Sequence, residues 1–244
     1  MLRFIPDLTM PPTIAQNLAH IQDRIARAAE KSSRRAEDIT LIAVSKTHPA
    51  EAIRQAYAAG LRHFGENRVQ EWEAKRPELN DLSADCTWHL IGHLQSNKAA
   101  RAAKSFSRID SIDDFSLAQK LNRASAELSP AGKLPVLIEV HIGGEESKTG
   151  VAELDLPQLA EQLLALDHLT LQGLMCIPPY AENPEIARPY FAHLRTLKEN
   201  LEAHLARPLP ILSIGMSHDF EVAIREGATE VRVGTALFGT RSDP

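Results

Sequence analysis

The sequence predicts an α/β fold, a single (β/α)8 barrel with one extra helix before it, and three observations carry that prediction. Eight short apolar segments alternate with helical patterns in one unbroken series, which points to a parallel sheet. The length of 244 residues suits one such barrel, which takes about 250. No proline-rich or glycine-rich linker divides the chain, so the expected division is an N-terminal arm over residues 1–12 and one barrel over 13–244. Periodicity does not encode closure, and an open doubly wound sheet is the alternative.

Taken in order, Ile14, Leu18, Ile21, Ile25 and Ala28 recur at helical spacing and predict the extra helix. Leu41–Lys46 reads as the first strand, followed by a helix that Pro49 opens. Arg62–Gly65, Thr87–Gly92 and Arg108–Ile112 read as strands two to four. Helices are expected over Asn67–Lys75, over Ser96–Lys104, and after Asp113 or Asp114 as cap. Val136–Ile142 and Leu169–Ile177 are strands five and six. Asn183–Pro184 is a cap and first turn, opening a helix with Ile186, Tyr190, Leu194, Leu197, Leu201 and Leu205 on one face. Ile211–Gly215 is strand seven, Asp219–Glu226 a short helix, and Val231–Phe238 strand eight.

Composition narrows the function classes. Apolar residues make up 43% and charged residues 24%, which excludes a disordered chain. A net charge of −5 argues against a nucleic-acid partner. The basic run Lys31–Arg35 reads as a solvated helix end. Two cysteines, Cys86 and Cys176, show neither a disulfide framework nor metal spacing, so a reduced cytoplasmic setting and no metal are expected. No leader or membrane span is read: Pro6 and Asp7 interrupt the apolar start.

Barrels of this kind place their chemistry in the loops after the strands, often with a phosphate site after strands seven and eight. Gly215–Met216–Ser217 and Gly234–Thr235 occupy those two loops. Glycine lets a phosphate approach the backbone and Ser217 offers a hydroxyl. Equally, Ser217 is a helix cap and the glycines only relieve turns. Lys46 ends the apolar run Leu41–Val44. It is either a surface lysine or an amine made nucleophilic toward an aldehyde by its enclosure. Arg232 alternates with Val231 and Val233, so it points to the other face of strand eight. A buried guanidinium needs acceptors, and a core carboxylate or an unprotonated pyridine nitrogen would each serve. His89 reads as a packed strand residue and His93 as a loop residue within reach of the mouth. Glu145, Glu146 and Lys148 read as a solvated loop.

Seven stretches, in order and mostly at loop positions, carry a resemblance: AVSKTHP at 43–49, FGENRVQE at 64–71, WHLIGHLQSNK at 88–98, ESKTG at 146–150, GLMCIPP at 173–179, GMSHDFEVAI at 215–224 and VRVGTALFG at 231–239. The chain resembles the pyridoxal phosphate homeostasis proteins, whose barrel is like the N-terminal domain of alanine racemase (fold type III). The resemblance implies pyridoxal 5′-phosphate as cofactor, with Lys46 forming the internal aldimine and Arg232 facing the pyridine nitrogen. It implies that Ser217, Gly234 and Thr235 hold the phosphate and that Asn67 lies beside the ring. The implied role is to carry or buffer the cofactor in the cell, without catalytic turnover, with pyridoxal-phosphate-dependent apo-enzymes as candidate recipients. A racemase-like enzyme is the alternative, and His93 and Tyr180 are then the loosely placed candidates for its second base. A third class, a phosphosugar-type enzyme using Lys46 without a cofactor, leaves Arg232 unassigned. Alanine racemase takes its second base from a C-terminal β-domain, which is not found after Gly239, so a monomer is expected.

Overall fold

Thr13 accepts the Gln16 N–H and Gln16 Oε1 accepts the Thr13 N–H, a reciprocal cap that starts helix α1 (Ile14–Glu30). The computed structural model describes residues 12–82, 84–143 and 149–239. The expected arm, up to residue 11, and the acidic loop at Glu145 and Glu146 with Lys148 lie outside those residues. Leu18, Ile21, Ile25, Ala28 and Ala29 form the buried stripe of α1, which packs against the final helices of the chain. Asn17 Nδ2 donates to Leu237 O at 2.9 Å, and Arg24 pairs with Glu221 at 2.8 Å. The basic run after α1 is less solvated than expected, because Arg34 donates to Ala228 O at 2.7 Å and ties the helix end to the barrel.

The barrel follows as β1 (Thr40–Val44), α2 (Ala50–Ala58), β2 (His63–Glu66), α3 (Val69–Lys75), β3 (Thr87–Leu90), α4 (Ala99–Ser105), β4 (Arg108–Ile112) and α5 (Phe115–Leu128). Its second half is β5 (Leu134–Glu139), α6 (Leu156–Leu164), β6 (Leu169–Met175), α7 (Arg188–Leu205), β7 (Ile211–Met216), α8 (Phe220–Arg225), β8 (Glu230–Val233) and α9 (Thr235–Phe238). All eight strands are parallel, and β8 closes on β1 with Ile42 beside Arg232 and Ala43 beside Val233. Closure removes every sheet edge and settles the choice against an open sheet. Asp114 is the cap of α5, accepting the Leu117 N–H at 2.8 Å.

Five predicted strands were too long at their carboxyl ends, the first, third and sixth by two residues and the fifth and eighth by more. Strand eight stops at Val233, and residues 235–238 turn into α9, whose first carbonyl, that of Gly234, accepts from Leu237 and Phe238. The apolar run continues, but β1 offers no pairing partner past Ala43, so the backbone bonds must be made locally. Strand five stops at Glu139, and Val140 forms a separate bridge with Val151. In α7 the buried face is Phe191, Leu194 and Leu201, while Ile186 precedes the helix in a 3-10 turn and is exposed.

Side chains alternate between two cores. Ala43, Val136, Ile138, Val231 and Val233 join the cluster under the helices. Ile42, Leu137, Glu139, Glu230 and Arg232 are buried on the opposite parity, inside the barrel. At its amino end Arg108 of β4 reaches across to Glu230 of β8 at 2.8 and 2.5 Å and also grips Asp110 at 2.7 and 2.9 Å.

Candidate functional site

At the carboxyl end, β1 delivers Ser45 fully buried and Lys46 half-buried. Ser45 Oγ donates to Glu66 Oε1 at 2.7 Å, and Lys75 Nζ donates to Ser45 O and to Glu66 Oε1, both at 2.9 Å. Lys75 also pairs with Glu71 at 2.7 Å, and Glu71 accepts the Thr47 N–H. Burial pushes the Glu66 carboxyl above its ordinary range, against the pull of Lys75. A buried polar network underlies the loop that carries Lys46. The expected strand runs on to Lys46, but pairing ends at Val44. Thr47 then takes a left-handed φ of 66°.

Across the mouth the loops after β7 and β8 meet through one hydroxyl. Ser217 Oγ accepts the Gly234 N–H at 3.2 Å and the Ala236 N–H at 3.3 Å. It makes no cap to α8 but satisfies the first turn of α9 through Ala236. Asp219 takes the turn instead, accepting the Met216 N–H at 2.6 Å. Gly215 has φ +88°, and a Cβ there would lie 2.5 Å from the Ala223 side chain, so this turn requires glycine. Ser217 and Gly234 are half-buried where the two loops meet, and Thr235 is exposed beside them.

Arg232 is buried between these two regions. Its Nη1 donates to Ser213 O at 2.7 Å and Ser213 Oγ at 2.9 Å, and its Nη2 to Cys176 O at 2.8 Å. No carboxylate of the described residues accepts from it. Burial pulls its pKa down; Cys176, Asp110, Glu139 and Asp219 act at longer range in the opposite direction. Three of the five guanidinium N–H groups are used. The Nε–H makes no hydrogen bond to the described residues.

Asn67 lies elsewhere on the rim. With Arg68, Gln70, Gly92, His93 and Lys98 it lines a cavity of about 590 Å³ between the loops after β2 and β3. None of Lys46, Ser217 and Arg232 lines that cavity. His89 is packed as expected, 3.1 Å from His63 Nδ1. His93 is exposed and paired with Asp113 at 3.1 Å, and Tyr180 is exposed beside His218. Among the described residues no group of three or more metal-ligating side chains converges, and no helix is long and apolar enough to cross a membrane.

Sequence reasoning missed three residues. Glu139, at the end of β5, is buried, accepts from Thr149 Oγ1 at 2.8 Å and has no partner for Oε2. Glu71 and Lys75 were read as part of a polar helix. Their i, i+4 spacing was visible, but their target, the loop around Lys46, is long-range.

Residues 16–242 match the family described as alanine racemase, N-terminal domain. A pyridoxal phosphate homeostasis protein of Aquifex aeolicus is 46% identical over 226 residues, covering 93% of this chain and 97% of that one. Its counterpart in Pseudomonas aeruginosa is 47% identical over 231 residues, covering 94% and 96%. Among solved structures, PipY of Synechococcus elongatus with PLP bound superposes with a TM-score of 0.82 at 42% identity, covering 93% of this chain and 100% of that one. An alanine racemase of Clostridium difficile shares the fold at a TM-score of 0.70 and 18% identity, and this chain spans 57% of it. A barrel of the alanine racemase N-terminal type, matched by relatives over almost its whole length, places this chain in the pyridoxal phosphate homeostasis protein family.

Proposed function

We propose that this protein binds pyridoxal 5′-phosphate at the barrel mouth, carries or buffers it through Lys46, and does not turn over a substrate. The observation that carries this reading is Arg232: a buried guanidinium, anchored by Ser213 and Cys176, with its Nε–H left for an acceptor. Arginine only donates, so a ring nitrogen facing it stays unprotonated. When bound, the cofactor would supply an aldehyde, and Lys46 would provide the amine that condenses with it, with release of one water. Ser217, Gly234 and Thr235 would hold its phosphate, through the hydroxyls and N–H groups that β7 and β8 bring together.

Arg232 also supports a carrier over a catalyst. A donor at the ring nitrogen keeps that ring a weak electron sink, which suits holding more than carbanion chemistry. The residues that a racemase reading calls on lend it no support: His93 is engaged by Asp113, and Tyr180 is 79% exposed. A cytoplasmic monomer that yields cofactor to apo-enzymes completes the reading.

Purified protein mixed with pyridoxal phosphate should develop the visible absorbance of a protonated Schiff base, and Lys46→Ala should abolish it. A wild-type protein that stays colourless with excess cofactor overturns the proposal. Incubation of the loaded protein with single-enantiomer amino acids in deuterated water should give no α-proton exchange beyond that of free cofactor. Exchange at enzyme-like turnover would replace the carrier with a racemase.

A further inference from the structure

We propose that Glu71 and Lys75 of α3 are positioning residues, a strap that fixes both peptides flanking Lys46 and so presents its amine to the bound aldehyde. The inference rests on the assignment of Lys46 above and adds a role for two residues on a different element. An ammonium has three N–H donors; Lys75 donates to Ser45 O and to Glu66 Oε1, both at 2.9 Å, and forms an ion pair with Glu71 Oε1 at 2.7 Å. Ser45 O belongs to the peptide that enters Lys46. The Thr47 N–H belongs to the peptide that leaves it and is held by the same Glu71 oxygen. One ion pair therefore grips the chain on both sides of a single residue.

The strap has a cost and an anchor. Thr47 is held in the left-handed region, which a β-branched residue avoids unless surrounding contacts impose it. Those contacts come from α3, whose own placement is set by Trp72. That ring stacks on Trp88 at 3.9 Å between centroids and donates Nε1–H to Ser105 O at 2.7 Å. An exposed i, i+4 ion pair would matter little. This one is largely enclosed, with the Lys75 side chain 12% exposed and Glu66 beneath it fully buried. Holding an amine in a reactive pose raises its effective concentration toward a partner already bound. The loss of the strap should therefore appear in the covalent step, while noncovalent retention of the cofactor is unchanged.

The test compares Lys75→Met, Glu71→Gln and their double variant, each as the full chain titrated with pyridoxal phosphate well below its melting temperature. Each single change should raise the apparent dissociation constant of the absorbing adduct about tenfold, the size of one charge-assisted hydrogen bond. The double change should add little, because the same device is already broken. In a Lys46→Ala background, Lys75→Met should alter retention of the unlinked cofactor by less than about twofold, since no amine remains to be positioned. Glu73→Gln, which breaks the Arg101 pair on the same helix, should leave the adduct unchanged. Adduct formation in Lys75→Met and Glu71→Gln equal to wild type overturns the strap, and so does an equal loss in the Lys46→Ala background. If wild type forms no adduct at all, the fault lies with the Lys46 assignment instead. Glu71→Gln keeps the side-chain volume and carries the test should Lys75→Met fail to fold.

Discussion

At the amino end of the barrel interior, Arg108 forms bidentate pairs with both Asp110 and Glu230, and each carboxylate oxygen involved has a guanidinium N–H. At the carboxyl end, Glu66 and Glu139 each leave an oxygen without a partner, and the Arg232 Nε–H has none among the described residues. Both layers are buried. In the first, all four carboxylate oxygens are paired, which a buried charge cluster needs in order to hold the strands. The second is incomplete among the described residues, and it is there that the proposed cofactor would supply partners.

The two layers also titrate oppositely. Burial alone would raise Asp110, but Arg108 and His89 outweigh it and hold the carboxyl well below its usual range. Burial raises Glu139, and Thr149 and Arg232 offset that only in part. A depressed carboxyl lends stability above its unfolded pKa that is lost as pH falls through the folded one. A raised carboxyl binds protons more readily when folded, so stability falls as pH rises from the unfolded value to the folded one.

The sharpest way to break the contrast is Arg108→Met. It strands two buried carboxylates and should cost about 3–5 kcal/mol of unfolding free energy by urea denaturation. A loss under about 1 kcal/mol would mean that the lower layer is not the structural one. Arg232→Gln should cost less, about 1–3 kcal/mol, because neutral carbonyls are left behind. It should, however, weaken cofactor retention at least tenfold, an effect Arg108→Met lacks in the folded fraction. The smallest effect concerns pH. Glu139→Gln should stabilise the cofactor-free protein by about 1 kcal/mol at neutral pH, with the gain vanishing below about pH 4. Asp110→Asn should behave in reverse, its penalty shrinking as pH drops below about 4. Parallel pH profiles for the two variants would remove the distinction between the layers.

The barrel was legible because its signal is local. Alternation of apolar strands with helical stripes needs only neighbours in sequence, and the parity of Arg232 already set it on the opposite face of strand eight from Val231 and Val233. Ends of strands were less legible. Val231–Phe238 and Val136–Ile142 stay apolar past the last pairing partner, and that partner is set by closure, which no local pattern records. Within the site, Ser217 and Gly234 could be named from their loops. Their junction through one hydroxyl could not, nor could the acceptors of Arg232, because Ser213 and Cys176 lie 19 and 56 residues away. The same distance hid Glu71 and Lys75, whose helix contacts Lys46's flanking peptides 24 and 30 residues back.

The central claim is that one amine of this chain, that of Lys46, is built to hold pyridoxal phosphate. The direct measurement is borohydride reduction of the loaded protein followed by peptide mass mapping. The account predicts a single pyridoxyl-phosphate label on the peptide containing Lys46. Label spread over surface lysines, or fixed on another lysine while Lys46 stays unmodified, would contradict it.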